Sequence, residues 1–211
     1  MPKQMFYAKQ QVSSKLKQRY NNELGAVTML ALLRPVNTGL AEGRATKEIL
    51  VIGLDLAIQE VPVELVDHIA HLRASGILFV CHRQIVGEDG SEREECALAV
   101  RRALPTKPGY QKQYRVYLGP WQPASQTRLE IDGHNMDELW DCLNAQVIFG
   151  SSDGADLDDR IARRDEIAGL VAEEAKLSKD HSRAKDAAQR NEIYTQLHKV
   201  RTRLREMGAL D

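Results

Sequence analysis

The amino-acid sequence predicts an α+β fold: a five-stranded mixed sheet with packing helices, followed by a C-terminal antiparallel helical hairpin, or coiled coil. The first observation is the run 48–83, whose patterns are those of a strand, a helix and a strand with almost nothing between them. The second is a change after residue 150, where aromatic residues become rare and charged residues alternate with aliphatic ones. We expect a sheet domain with a basic N-terminal arm at 1–150, a linker at 151–156 and the hairpin at 157–211.

The central strand is predicted at 48–58, because its apolar residues occupy both faces. One face carries Leu50, Ile52, Leu54 and Leu56, and the other carries Ile49, Val51, Gly53 and Ala57. A strand that is apolar on both faces belongs in the middle of a sheet. A helix should begin near Pro62, with an apolar stripe of Leu65, Val66, Ile69 and Leu72. The dipeptide Ser75-Gly76 ends it, and a second buried strand follows at 77–81.

The other elements of the sheet domain follow from local signals. Ser13 or Ser14 caps a helix that ends near Gly25, and strands are predicted at 26–33, 96–103 and 111–118. Gly87 to Gly90 forms a hairpin turn, and Trp121 covers a sheet end. Asn135 caps a packing helix that runs to Phe149. Its predicted apolar stripe consists of Met136, Trp140, Leu143 and Val147.

The hairpin is predicted from heptad-like spacing in two stretches. The first stripe is Ile161, Ala168, Val171 and Ala175, and the second is Ile193, Leu197, Val200, Leu204 and Met207. The second stripe advances by four, three, four and three residues, which is typical of a packed helix pair. We expect the chain to fold back at 178–183. A dimerising coiled coil is the alternative, but both halves of an intrachain pair are present.

Composition limits the class of protein. With 211 residues and 43% hydrophobic content the chain can bury a core. It contains no run of 18 apolar residues and no stretch like a signal peptide, so we expect a soluble, cytoplasmic protein. Cys81, Cys96 and Cys142 are odd in number, widely spaced and set in apolar surroundings. This pattern predicts reduced core thiols.

Charge is unevenly distributed along the chain. Residues 1–47 contain eight Lys or Arg and two acidic residues, whereas residues 48–155 contain nine and sixteen. Within 183–205 there are seven basic residues and two acidic ones. An acidic partner, including nucleic acid, is one interpretation of these basic segments; a solvated surface is the simpler one.

Two hypotheses for a metal centre can be stated from the sequence. Glu64, His68 and His71, with Asp67 beside them, share one polar stripe of the predicted helix and are candidate metal ligands. No HExxH pattern accompanies them, so an ordinary polar helix face is favoured and no cofactor is predicted. A metal-dependent nuclease would use Glu48 and Asp55, yet the lysine expected two residues after an acidic one on this strand is missing.

Other catalytic patterns are absent from the sequence. It contains no GxxxxGK[ST] phosphate loop and no GxGxxG dinucleotide turn. Its GxSxG string, Gly150 to Gly154, lies at the predicted linker and not at an elbow between a strand and a helix. We therefore predict no catalytic residues. The candidates for contact with nucleic-acid phosphates are Lys9, Lys15, Lys17, Arg19, Lys199, Arg201, Arg203 and Arg205. Alternate positions on a helix point in several directions, so these residues cannot all face one backbone.

An ordered series of motifs extends over nearly the whole chain. These are FY with SSKLK, LRPVNTGL, EILVIGLDL, GILFVCHR, YRVYLGPW, MDELWDCL and EIYTQLHKVRTRL. In this order they resemble the uncharacterised bacterial domain-of-unknown-function family four-three-nine-one. The chain departs from that family in the first strand, where Met29 or Leu30 stands in place of a frequent aromatic residue, typically Trp.

The resemblance implies a genomic context and no catalytic residues. Such proteins are often encoded beside Swi/Snf-type helicases and DNA methyltransferases, in loci that look like anti-phage defence or restriction islands. This context implies a non-enzymatic adaptor whose hairpin contacts the large partner near Leu197, Val200 and Leu204. The alternatives are a metal-dependent nuclease-like enzyme and a free-standing nucleic-acid-binding protein.

Overall fold

The computed structural model describes residues 1–8, 12–87, 90–105 and 109–210. The chain divides into two compact units, Met1–Ala155 and Asp156–Asp211. The division falls inside the segment 151–156 that the sequence marks as a linker.

The first unit is built on a mixed β-sheet. Its five main strands are β1 (Leu24–Leu33), β2 (Ile49–Leu56), β3 (Gly76–Val86), β4 (Glu92–Ala103) and β5 (Tyr114–Leu118). They lie side by side in chain order, with β2 and β3 parallel and the other neighbours antiparallel. The predicted five-stranded mixed sheet is therefore confirmed. A sixth strand among the described residues, β6 (Gln122–Pro123), pairs with the start of β4.

Strand β2 is buried on both faces, as its sequence predicts. Leu50, Ile52 and Leu54 belong to the main hydrophobic core, and Ile49 and Val51 on the opposite face are also buried. Both edges of β2 are hydrogen-bonded, to β1 and to β3. The strand therefore contributes to two apolar layers at once, and each layer needs its own covering elements.

The helices of the first unit are distributed over the two faces. They are α1 (Ser14–Glu23), α2 (Pro35–Thr38), α3 (Val63–His71) and α4 (Met136–Phe149), with 3-10 turns at Lys3–Phe6 and Ala124–Gln126. Tyr20 of α1 and Ile69 of α3 pack in the core with Leu50. A β-carbon added at Gly76 would lie only 3.0–3.1 Å from the Trp140 ring. Since Gly76 pairs with Ile49, α4 covers the Ile49 face.

The hairpin of β3 and β4 is longer than predicted. The apolar runs suggested that β3 ends at Cys81 and that β4 begins at Cys96, but the ladder continues to the pair Val86 and Glu92. Backbone hydrogen bonds hold this polar extension, and Arg83 and Glu95 form a cross-strand ion pair of 2.7 Å. At the predicted turn, Gly90 has φ 75°, while Glu88 and Asp89 lie outside the described residues.

Trp121 lies where the sequence predicts a cover for the sheet. It is partly buried and packs against the main core. The guanidinium carbon of Arg83 is 3.8 Å from the centre of its ring. This cation–π contact connects the segment after β5 to β3.

The segment between α2 and β2 is fixed to the start of α4. The predicted cap Asn135 accepts hydrogen bonds from the backbone N–H of Asp137 and Glu138. The Asp137 carboxylate in turn accepts hydrogen bonds from the backbone N–H of Arg44, Ala45 and Thr46, the shortest at 2.6 Å. One carboxylate thus anchors residues 44–46 to α4.

The second unit is an antiparallel pair of α5 (Leu157–Arg183) and α6 (Ala187–Glu206). The predicted stripe on α6 is confirmed, because Leu197, Val200 and Leu204 are buried between the helices and Ile193 is partly buried. The intrachain pair is therefore formed. The helices are also joined by the ion pairs Arg201–Glu174 and Arg203–Glu166, at 2.6 and 2.8 Å.

The predicted stripe on α5 is wrong for three of its four residues. Ala168, Val171 and Ala175 are exposed, and the helix faces its partner with Ile167, Leu170 and Leu177. Both stripes have helical spacing, but the Ile and Leu side chains bury more apolar surface than Ala does. The turn lies at 184–186, later than predicted, where Ala184 is buried and Asp186 caps α6.

Each helix in the described part of the chain falls short of what a membrane span requires in length or apolar character.

We expect Asp137→Asn to destabilise the first unit by about 1–2 kcal/mol, because three N–H groups lose a charged acceptor. Although burial opposes ionisation, hydrogen bonds from Thr46, Arg44 and Ala45 hold the pKa of Asp137 below its ordinary value. The stabilisation is therefore complete above about pH 4 and is lost as the pH falls through the lower folded-state pKa. Urea unfolding of wild type and variant at pH 7 and pH 3 measures this difference.

Glu60→Gln, which removes an exposed carboxylate, is the control for the Asp137 experiment. Equal stability of Asp137→Asn and wild type at pH 7 would contradict an anchoring role for this carboxylate.

Candidate functional site

The polar stripe of α3 connects neighbouring elements. Glu64 forms an ion pair with Arg19 of α1, and Asp67 forms one with Arg101 of β4 at 2.7 Å. The Tyr20 hydroxyl is 2.8 Å from Nδ1 of His68. Within the described ranges, no group of three His, Cys, Asp or Glu residues is placed to hold a metal ion. The candidate ligands Glu64, His68 and His71 are thus not brought together as a metal centre.

Tyr20 and His68 form a buried polar contact between α1 and α3. The rings meet edge to face with centres 5.8 Å apart, and Tyr20 is fully buried. Burial, and secondarily the charge of His71, lowers the pKa of His68, while burial raises the pKa of Tyr20. A neutral imidazole beside a neutral phenol is therefore the stable state at pH 7.

The carboxylates of the nuclease hypothesis do not converge. Glu48 precedes β2 and Asp55 lies near its other end, seven residues or about 23 Å away. Glu48 accepts hydrogen bonds from Arg34 and Ser75 and lies 3.6 Å from Arg73. The hydrogen bond from Arg34 is the main cause that lowers the pKa of Glu48. Glu48 therefore fixes the strand's start, and the arrangement that this hypothesis requires is not formed.

A polar cluster that the sequence analysis missed lies where the parallel strands end. Asp55 and His82 are paired in the register of β2 and β3, and their Oδ1 and Nδ1 atoms are 3.4 Å apart. Nε2 of His82 lies 3.8 Å from Glu94. Asp55 and His82 are equally far from the observed starts of β2 and β3, but not from the predicted starts at 48 and 77, so only the register reveals the pair.

This cluster borders an open cleft of about 380 Å³, lined by residues 55–59 with His82 and Gln84. The carboxylate side chains are 58% and 63% exposed. Solvent therefore screens the charges of both carboxylates at the His82 ring. The distances of 3.4 Å to Asp55 and 3.8 Å to Glu94 also exceed that of a good hydrogen bond. The described residues around the cluster supply no nucleophile or oxyanion donor in a catalytic arrangement.

The three cysteines are free and buried, as predicted. Burial raises the pKa of the Cys81 thiol to about 12, and it also raises the pKa values of Cys96 and Cys142. These thiols are protonated at pH 7, which makes them poor nucleophiles.

The predicted partner-binding residues form the interior of the hairpin. Leu197, Val200 and Leu204 are between 1% and 7% exposed. They fill the space between α5 and α6, so a partner that binds the intact hairpin meets its outer surfaces.

The predicted phosphate-contacting residues separate into different environments. Lys15 and Lys17 are exposed on α1, whereas Arg19 pairs with Glu23 and Glu64. On α6, Lys199 and Arg205 are exposed, and Arg201 and Arg203 pair with different acidic residues of α5. Lys9 lies outside the described residues.

Two stripes of side chains lie outside the apolar interior of the hairpin, one on each helix. On α5, Ala168, Val171 and Ala175 advance by three and four residues, so they share one outward stripe, with Val171 49% exposed. On α6 a polar stripe beside the helix interface advances by four, four, three and four residues. It consists of Arg190, Tyr194, His198, Arg201 and Arg205.

Comparison with known proteins gives one finding. A family model described as Domain of unknown function (DUF4391) matches residues 1–204. Neither the curated proteins nor the solved structures yield a match.

We expect the double variant Tyr20→Phe/His68→Leu to remove part of the pH dependence of stability. The folded state binds the His68 proton more weakly than the unfolded state, so stability is complete above about pH 6.5 and falls as the pH drops towards the lower folded-state pKa. Unfolding free energies from pH 5 to pH 7 should therefore vary less in the variant.

The control is His134→Gln, which replaces an exposed histidine and should preserve the wild-type profile. Identical pH profiles for the double variant and the wild type would show that His68 is not held neutral by the fold.

Proposed function

This chain belongs to the family described as Domain of unknown function (DUF4391), and we propose that it serves there as a non-enzymatic accessory subunit of a DNA-targeting defence or restriction-type complex in the cytoplasm. Its hairpin docks on a large protein partner. The motifs that identify the family also imply the partner class, a Swi/Snf-type helicase or a DNA methyltransferase.

The observation that carries the proposal is the unpartnered stripe of Ala168, Val171 and Ala175 on α5. The inner stripe of this helix is already filled by α6, so the exposed apolar side chains contribute nothing to the hairpin's own core. Small side chains allow the backbone of another helix to approach closely. A helix of the partner would complete a three-helix arrangement on this face.

The buried residues of α6 act indirectly in this proposal. Leu197, Val200 and Leu204 hold α5 and α6 together and thereby keep the outer stripe of α5 straight and helical. A two-helix pair has a small core, so loss of one of these three side chains would unfold the docking surface along with the hairpin.

We expect Val171→Glu to reduce recovery of the helicase or methyltransferase at least tenfold in a tagged pull-down from the native host. A buried carboxylate at a helix–helix contact is unpaired and costly. The pull-down is performed with nuclease treatment at moderate and high salt, because a complex held by apolar contacts survives both conditions.

Gln196→Glu adds the same charge at an exposed α6 position and should leave recovery unchanged. Circular dichroism checks that both variants keep their helices, as expected for exposed positions. Undiminished recovery of the partner by Val171→Glu would remove the α5 stripe from the interface, and recovery of nucleic acid alone would refute the adaptor function.

A further inference from the structure

The polar stripe of α6, beside the helix interface, combines positive charge with an aromatic ring. Arg190, Tyr194, His198, Arg201 and Arg205 lie within about 80° of one another around the helix, at 100° per residue. Fifteen residues separate its ends, which corresponds to about 22 Å. Tyr194 is 57% exposed, and its ring is 6.0 Å from that of His181 on α5. The stripe therefore presents donors and one aromatic face along a straight line.

Acidic residues of α6 lie off this line. Glu192 follows Arg190 by two residues, and Glu206 follows Arg205 by one, so both point away from it. Glu174 of α5 accepts hydrogen bonds from Arg201, at 2.6 and 2.9 Å. Arg190 donates to the backbone carbonyl of Ala184, a contact that leaves its charge unneutralised. Arg205 is exposed.

We infer that this stripe binds the phosphate backbone of nucleic acid. Arginine forks pair with phosphate oxygens, and an exposed tyrosine between them can stack on a base or sugar. At 3.4 Å per nucleotide of a duplex strand, the stripe matches about six nucleotides. Lys199 and Arg203 point to another side of α6, where Arg203 pairs with Glu166, and take no part in this contact.

The inference does not depend on the protein partner. It uses α6, whereas the proposed docking surface is the stripe of α5 around Val171. Val171→Glu should leave nucleic-acid binding intact, and loss of the arginines should leave partner recovery after nuclease treatment intact. The two proposals can therefore fail separately.

The test is fluorescence anisotropy of the full chain with a labelled 20-nucleotide DNA, in duplex and in single-stranded form, across a series of salt concentrations. Because Arg201 is already paired with Glu174, two phosphate contacts, by Arg190 and Arg205, predict a slope of log K against log salt of about −1.8 for the duplex and about −1.4 for the single strand. Tighter binding of the single strand would assign the stacking role to Tyr194, and tighter binding of the duplex would assign recognition to the phosphates alone.

The variant Arg190→Gln/Arg205→Gln should reduce the duplex slope to near zero and the affinity roughly 60-fold at 0.1 M salt, about eightfold for each lost contact. Lys176→Gln/Lys179→Gln removes the same charge from exposed positions of α5 outside the stripe and should bind within about twofold of wild type. Circular dichroism confirms that each variant is folded.

Three results would overturn the inference. They are absence of binding by the wild type at 50 mM salt, equal losses in the stripe variant and the lysine variant, and displacement of DNA by polyglutamate at an equal concentration of charges. The last result would identify an acidic protein segment as the ligand of this surface.

Discussion

The first unit depends on the burial of β2 on both faces. Leu50, Ile52 and Leu54 need a cover on one side, and Ile49 and Val51 need one on the other. At about 25 cal/mol per Å² of apolar surface, both layers stabilise the sheet strongly. α1 and α3 cover the first face and α4 covers the second. Among the described residues, each helix of this unit that is longer than one turn therefore packs on the sheet around β2.

Much of the unit's polar chemistry serves the same packing. Glu64, Asp67 and His68 of α3 meet Arg19, Arg101 and Tyr20. Asp137 holds the 44–46 segment in a similar way. Each of these side chains is of a type found in catalytic or metal sites, yet each forms a hydrogen bond or an ion pair with a neighbour within the fold. Function in this chain is therefore better sought on surfaces whose side chains lack such partners in the fold.

The hairpin supplies those surfaces because each of its helices has more than one stripe. On α5, Leu170 and Leu177 face α6, and the smaller Val171 stripe faces outward. On α6, Leu197 and Leu204 face α5, and the arginine–tyrosine stripe lies beside them, where Arg201 pairs with Glu174 and Arg190 and Arg205 are exposed. Two separate contacts, one apolar and one cationic, are thus available on a single small element. An accessory subunit that joins a protein to nucleic acid would use both.

The sequence by itself determined the central strand, the mixed five-stranded sheet, the buried thiols and the inner stripe of α6, because hydrophobic periodicity and side-chain size are local properties. Only the tertiary structure decided which stripe of α5 is buried, since the stripes of Val171 and Leu170 both have helical spacing and the contact with α6 fixes which of them faces inward. The meeting of Asp55 with His82, 27 residues apart, likewise depended on strand register. Register is set by pairing across the sheet, which no single stretch of sequence encodes.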